Sequence, residues 1–417
     1  MVHLLSRVSY KWLLLVFLFV AFFLEQGARQ VYGAALPQIK LDFAALGVSD
    51  SQLGLVSSAF TLVFGVSVAV AGFAADFLGR KRVLVAGTLL YAVGVIGGGC
   101  ATGLATLVVF YGVVNALGQC CIAPASYSLI SQYHTTETRA TAMGIFQSAN
   151  YLGVCLASVT AGALAGLGAG RWRWAFWAVG GLCALWALVM KLLMRDTPQP
   201  VSADDARKAT LKEGLFALLK KPTAILIAVA FGMFMYVMCG FRLWTVTFIV
   251  RSFTDVSLAA AAFHAVFWYY LGALVSLVVS ARVIDFLGRR WRTARLDASI
   301  LGLVLSVGPM YAISASTSLA VCSFWLLALG LTCGLYEAGH YPSMFDCIVP
   351  RYRSVATGLT GCLAFALGSL APAVMGWMYD AFSLRFGMAT LSVFFLLGAL
   401  ILLPARLLTF KRDLVRQ

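Results

Sequence analysis

The sequence predicts an all-α integral membrane protein whose twelve transmembrane helices form two pseudo-symmetric six-helix bundles. Three observations predict it: an apolar fraction beyond any soluble domain, apolar runs of bilayer length, and an internal repeat. Of 417 residues, 61% are hydrophobic and 11% charged, with a mean hydropathy of +0.91. A soluble domain needs far more polar surface than that. A helix crosses the hydrocarbon core with about 20 predominantly apolar residues, and runs of that length recur along the whole chain.

Taken in order, the first span, 11–36, opens on a basic start and an apolar run, as a signal peptide does. The run is too long for a signal h-region and continues through Arg29, so it reads as a helix of the mature protein. Spans at 50–75 and 83–103 flank the basic turn GRKR at 79–82. Only the Gly/Thr stretch GCATGLAT divides the third span from the fourth at 105–131. Spans at 137–168 and 172–194 close an N-terminal bundle over 1–194. The one long polar stretch follows, 195–221, whose Pro, Ser and charge content reads as a cytoplasmic linker. A short surface helix is expected in it from Ala203 onward. The C-terminal bundle, 222–417, carries spans at 222–252, 258–283, 293–314, 318–347, 353–380 and 384–407.

The repeat fixes six helices per half. GFAADFLGRKR (72–82) recurs as ARVIDFLGRRW (281–291), mapping Asp76 onto Asp285 with a period of 209. RATAMG (139–144) recurs as RSVATG (353–358) with a period of 214. Two matches in the same order and at nearly the same offset imply a parallel duplication.

The net charge of +15 invites a nucleic-acid reading, which its distribution excludes. With twelve spans and both ends on one side, 24 of the 31 Lys and Arg fall on that side. That asymmetry is the positive-inside rule and puts both termini in the cytoplasm. The basic excess sets topology and touches anionic lipid. All ten cysteines lie in or beside apolar runs without a CxxC or a Cys/His cluster, and read as small hydrophobes in helix packing.

Two arginines, Arg29 and Arg242, lie inside apolar spans. Arg at a helix centre costs about 2.5–3.5 kcal/mol on insertion scales. A charge kept there ordinarily faces a polar cavity and holds something of opposite sign. They occupy comparable places in the two halves, which suggests one site drawn from both. Arg29 has a local partner in Glu25, one turn earlier on the same face. Arg242 has no carboxylate at i±3 or i±4 and needs a partner from another helix or a ligand.

The duplicated GxxxDxxGR element resembles the signature of the major facilitator superfamily, and the resemblance covers essentially the whole chain. It implies that Asp76, Arg80, Asp285 and Arg289 gate the protein by contacts made in one conformation and broken in another. Asp346, near the cytoplasmic end of its span, is assigned to the same seam. Gly79 and Gly288 are expected to end their helices with φ > 0. More narrowly, RQVYGAALP (29–37), FRLWTVTFI (241–249), QCCIAP (119–124) and TRATAMGIFQSANYLG (138–153) are similar to motifs of the organophosphate:phosphate antiporter family. That family's two arginines grip phosphate from opposite halves, a role the resemblance carries to Arg29 and Arg242. Guanidinium forks suit tetrahedral and planar oxyanions. The chain departs from the family at Gln30, where a Lys is common, and at Asn150, where a His is frequent. With less positive charge there, a carboxylate or sulfonate fits as well as a phosphate ester.

Tyr32, Gln119, Gln147, Asn150, Tyr236 and Trp244 complete the expected substrate-binding set. Glu337 and His340 lie at i, i+3 in GLYEAGHYP and either carry a proton or satisfy one another; Glu25 is a third proton candidate. No phosphate loop, HExxH, GxSxG or metal-spaced His set is present. The sequence therefore points away from an enzyme and from ATP-driven transport, and no cofactor is expected. The expectation is a monomeric secondary transporter in the inner membrane, moving a small organic anion by alternating access. Exchange for phosphate or another anion is the first coupling expected, and proton symport is the rival. The anion:cation symporter family of the same superfamily is the second resemblance, from which the chain departs at Gln119, where a fourth-helix carboxylate would be expected. A transporter-like anion sensor is the reading from a different class.

Overall fold

The computed structural model describes residues 10–195, 211–288, 290–291, 293–349 and 352–414. They are helical, with no strand among them, and hold twelve helices long and apolar enough to cross a membrane. We number these α1 (Tyr10–Asp42), α2 (Asp50–Leu78), α3 (Arg80–Gly99), α4 (Leu104–Tyr133), α5 (Thr136–Ala165) and α6 (Trp172–Leu193). The second six are α7 (Pro222–Ser252), α8 (Leu258–Gly288), α9 (Ala294–Ala315), α10 (Leu319–Cys347), α11 (Arg353–Gly368, then Leu370–Ala381) and α12 (Leu384–Pro404). Every expected span has its helix, including the third and fourth. The chain turns between those two at Cys100–Gly103, where Thr106 Oγ1 donates to the Gly103 carbonyl.

Two boundaries differ from expectation, the end of the first helix and the turn at Gly288. The first helix runs on through Pro37 to Asp42, because hydropathy reports burial in lipid and not the end of a helix. The short helix of the linker is described over Leu211–Leu219; its expected start at Ala203 lies outside the described residues. Gly79 has φ 89° and breaks the chain sharply between α2 and α3. Gly288 is instead the last helical residue of α8 and has no positive φ. The two copies of the motif share a sequence and not a turn geometry.

The chain divides into two compact units. The first comprises residues 1–48, 55–200 and 256–263, the second 49–54, 201–255 and 264–417. Inside the first, α1 packs on α5 and α3 on α6; inside the second, α7 packs on α11 and α9 on α12. The repeat thus survives as packing. It survives at atomic detail as well. Arg139 at the start of α5 donates to the carbonyls of Ser131 and His134. Arg353 at the start of α11 donates to Phe345 and Ile348, the positions 214 residues on. In each unit one guanidinium satisfies carbonyls orphaned at the end of the preceding helix.

Lipid supplies no hydrophobic drive between helices, so close packing has to. In the first unit α3 meets α4 at Gly87 and Gly118, where a Cβ on Gly118 would lie 2.3 Å from the Tyr91 nitrogen. In the second, a Cβ on Gly330 of α10 would lie 2.0 Å from the Tyr269 oxygen of α8. A polar clamp closes the first unit at the far end of α1. The Asp42 carboxylate accepts from the Gly170 N–H at 3.1 Å, the Trp172 indole at 2.8 Å and Arg173 at 2.6 Å. Arg173 also donates to the Ala101 carbonyl, so one carboxylate ties together the ends of α1, α3 and α6.

Candidate functional site

In the first unit, Glu25 and Arg29 lie one turn apart on α1, on one face. Arg29 Nη2 stands 3.4 Å from Glu25 Oε1, and Arg29 Nε donates to Gln119 Oε1 on α4 at 3.2 Å. The guanidinium carbon lies 4.2 Å from the ring centroid of Phe64 and 5.3 Å from that of Phe60, cation–π contacts that matter most where water is scarce. Glu25 is 1% exposed, and its Oε2 has no hydrogen-bond donor among the described residues. Tyr111 of α4 donates its hydroxyl to the Arg29 carbonyl at 2.7 Å. Arg29 is therefore held by charge, amide, ring and main chain at once.

Arg242 in the second unit is the opposite case. It sits in mid-α7, half-buried, with its Nε enclosed and without a hydrogen-bond partner among the described residues. Tyr269 and Tyr270 of α8 and Glu337 of α10 lie within electrostatic range of it. No ion pair to Arg242 is formed among the described residues. A permanent cation held in an apolar helix without a direct counter-charge is costly.

The remaining expected residues fall into different environments. Gln119 is buried and reaches Arg29 directly. Tyr32 is buried against Tyr111, ring centroids 5.0 Å apart. Asn150 is half-buried without a hydrogen bond among the described residues, and Gln147 is exposed, accepting from the Tyr127 hydroxyl at 3.2 Å. Tyr236 stacks on Phe394 at 3.9 Å. Trp244 has no exposed surface and its indole N–H is taken by the Pro372 carbonyl. In this arrangement it packs α7 against α11.

Glu337 and His340 do not bond to each other. The imidazole is drawn away into rings, 4.3 Å from Phe231, 5.3 Å from Tyr336 and 3.9 Å from Tyr341 by centroid, and its Nε2 is buried without a partner. Helical spacing brought the two close, but aromatic packing claimed the ring. Arg80 donates to Gln132 at 2.5 Å, and Asp346 pairs with Arg295 at 2.7 Å. Asp346 is thus engaged inside its own unit. Gln132 and Asp346 are again 214 residues apart, so both units tie a helix start to the end of the next helix. The side chains of Asp76 and Asp285, and all of Arg289, lie outside the described residues.

Sequence reasoning missed Phe60, Phe64, Tyr111 and Asn115. One signal was available for two of them. Tyr111, Asn115 and Gln119 form a polar file at four-residue spacing in an otherwise apolar helix.

The pattern of the Major Facilitator Superfamily matches residues 18–267 of this chain. The chain belongs to that superfamily. Among curated relatives, the probable sulfoacetate transporter SauU of Cupriavidus necator is 24% identical over 90% of this chain and 89% of its own length. The hexuronate transporter of Bacillus subtilis is 23% identical over 88% of this chain and 87% of its own. The multidrug transporter protein MdtP of Bacillus subtilis is 27% identical over 54% of this chain, which spans only 40% of that relative. Among solved structures, a bacterial homologue of the human lysosomal transporter Spinster in an inward-facing, unoccupied conformation superposes with a TM-score of 0.86. It is 21% identical and covers 98% of this chain and 99% of its own; at that identity the likeness speaks to the fold. This superfamily chain is therefore a multi-pass membrane transporter and not an enzyme.

Proposed function

We propose that the protein carries a small organic carboxylate or sulfonate by alternating access, its negative group held by Arg242 with Arg29 as the second ligand. The carrying observation is the half-buried guanidinium of Arg242 in a transmembrane helix, its enclosed Nε without a hydrogen-bond partner among the described residues. An oxyanion supplies what that fork lacks. Two relatives matched over most of the chain are named for anions, sulfoacetate and hexuronate, which supports a carboxylate or sulfonate over a phosphate ester. Gln30 and Asn150, where the organophosphate antiporters favour cations, weigh the same way.

Coupling follows from Arg29. The carboxylate of Glu25 already occupies it, so an anion approaching Arg29 meets a neutralised pair. A proton on Glu25 would release the arginine, which favours proton symport. Exchange against phosphate, implied by the antiporter resemblance, is the second coupling. Both readings take the termini and the linker as cytoplasmic.

Proteoliposomes separate the readings. Radiolabelled sulfoacetate and glucuronate should accumulate under an inward proton gradient, and Arg242→Gln should abolish uptake while the protein still folds. Glu25→Gln should remove gradient-driven accumulation and leave exchange of internal for external anion intact. Accumulation driven by internal phosphate alone would establish the antiporter instead. Saturable binding without flux would overturn transport in favour of a sensor, and uptake retained in Arg242→Gln would remove Arg242 from the site.

A further inference from the structure

We infer that Asn115, through Gln119, is a positioning residue for Arg29. It fixes the amide of Gln119 so that its oxygen, and not its nitrogen, faces the guanidinium. The chain of contacts is short. Asn115 Oδ1 accepts from Gln119 Nε2 at 2.9 Å, and Gln119 Oε1 accepts from Arg29 Nε at 3.2 Å. Both amides are fully buried, so no water competes for either.

The polarity of this chain is forced from one end. A guanidinium has donors and no acceptor, so Gln119 must turn its oxygen to Arg29. Its NH2 then points at Asn115, which must answer with its own oxygen. That leaves the Asn115 NH2 as the group without an acceptor, and Asn115 Nδ2 is indeed buried without a partner among the described residues. A residue kept only for packing α4 would not carry an orphaned donor. The orphan is the far end of a chain whose near end is useful.

The backbone is shaped for the same purpose. In a regular α-helix, residues at i, i+4 and i+8 drift by about 40° per step, so Tyr111, Asn115 and Gln119 would wind away from α1. Instead Val108–Val114 forms a π-helical turn, with the Asn115 N–H bonded to the Phe110 carbonyl. Wide turns rotate less per residue and take up the drift between Tyr111 and Asn115, after which Asn115–Gln119 is regular α-helix. Tyr111 then reaches the Arg29 carbonyl while Gln119 reaches its side chain. Asn115 cannot slide, because α3 is pressed against it: a Cβ on Gly94 would lie 2.4 Å from the Asn115 nitrogen. The matching helix of the second unit, α10, is α-helical throughout and serves an arginine with no such support.

This inference deepens the reading of Arg29 as an anion ligand, but its test needs no ligand. Purified full-length protein is treated with phenylglyoxal, and the rates of modification of Arg29 and Arg242 are read separately by peptide mass spectrometry. Asn115→Leu frees the Gln119 amide to flip and should speed Arg29 modification on the order of tenfold, as expected for loss of one charge-assisted hydrogen bond. Arg242 should react at its wild-type rate. Gln119→Leu should have the same effect, and the double variant no more than either alone. Asn115→Asp keeps the acceptor and should restore protection. Gln119→Glu presents an oxygen to Arg29 in any orientation and lets Asn115 turn its NH2 inward, so in that background Asn115→Leu should change nothing. The relay is overturned by an unchanged Arg29 rate in Asn115→Leu or by additive effects of Asn115→Leu and Gln119→Leu. A parallel rise at Arg242, the mark of general loosening, overturns it too. Should Asn115→Leu not fold, a Gln119→Glu protein that leaves Arg29 less protected than wild type overturns it. Faster modification of Arg29 with sulfoacetate and glucuronate uptake unaltered would leave the relay standing and remove Arg29 as a ligand.

Discussion

Three arginines of this chain illustrate how differently one side chain is accommodated. Arg242 has no hydrogen bond among the described residues, Arg29 is held by a carboxylate and an amide, and Arg173 shares a carboxylate with an indole and a main-chain N–H. The last arrangement makes a clear prediction. Asp42 Oδ2 accepts from both Trp172 and Arg173 while Oδ1 takes Gly170. In Asp42→Asn one of those oxygens becomes an NH2 pointed at donors. Hydrogen bonds to charged groups contribute about 1.5–3 kcal/mol; with the Asp42 side chain 18% exposed, the lower end applies. A fall of a few degrees in apparent Tm of the purified protein is expected, and an unchanged Tm would mean water replaces the clamp at no cost. At this scale the sequence was legible where partners are local. Glu25 and Arg29 at i, i+4 announce their pair. The reach from Arg29 to Gln119 spans 90 positions, and no spacing rule encodes it.

At the scale of elements, the hydropathy pattern sufficed for all twelve helices, because lipid demands an apolar exterior over a fixed length. What it could not show is how the helices are cut or bent. The π turn in α4 leaves apolar runs apolar, so it is silent in a hydropathy plot. The two glycines of the repeated motif look identical in sequence, yet only Gly79 takes a left-handed conformation. The glycines that matter for packing can be ranked only once neighbours are known. In Gly330→Ala the new Cβ meets a main-chain oxygen at 2.0 Å, which cannot rotate away, so α8 and α10 must separate. Overpacking of this kind costs about 1–3 kcal/mol, occasionally more. Gly181 in α6 has nothing within 4 Å of its would-be Cβ, and Gly181→Ala should be neutral or stabilising by up to about 1 kcal/mol through helix propensity alone. Opposite shifts of apparent Tm in these two variants are the expected result, and a shared sign would show that propensity outweighs fit at both crossings.

At the scale of the molecule, the duplication constrains topology more tightly than hydropathy does. A parallel repeat requires an even number of crossings per unit, since an odd number would invert the second copy. Arg139 and Arg353 make the same paired carbonyl contacts, each within its own unit, and an even count is the expectation that puts the starts of their helices on one side of the membrane. The sequence puts most lysines and arginines at that side, and we propose by the positive-inside rule that it is the cytoplasmic one. Cys100, exposed at the opposite end of α3 from Arg80 and next to the Ala101 carbonyl that holds Arg173, is then a natural external probe. A membrane-impermeant maleimide should label Cys100 in right-side-out vesicles, and Cys100→Ser should remove that label. A cysteine placed at Lys220 in the Cys100→Ser background should be labelled only in inside-out vesicles. Labelling of both positions from one face would break the even count and with it the parallel repeat. Labelling of each from the wrong face would keep the repeat and reverse the protein in the membrane, leaving its basic end outside against the charge rule.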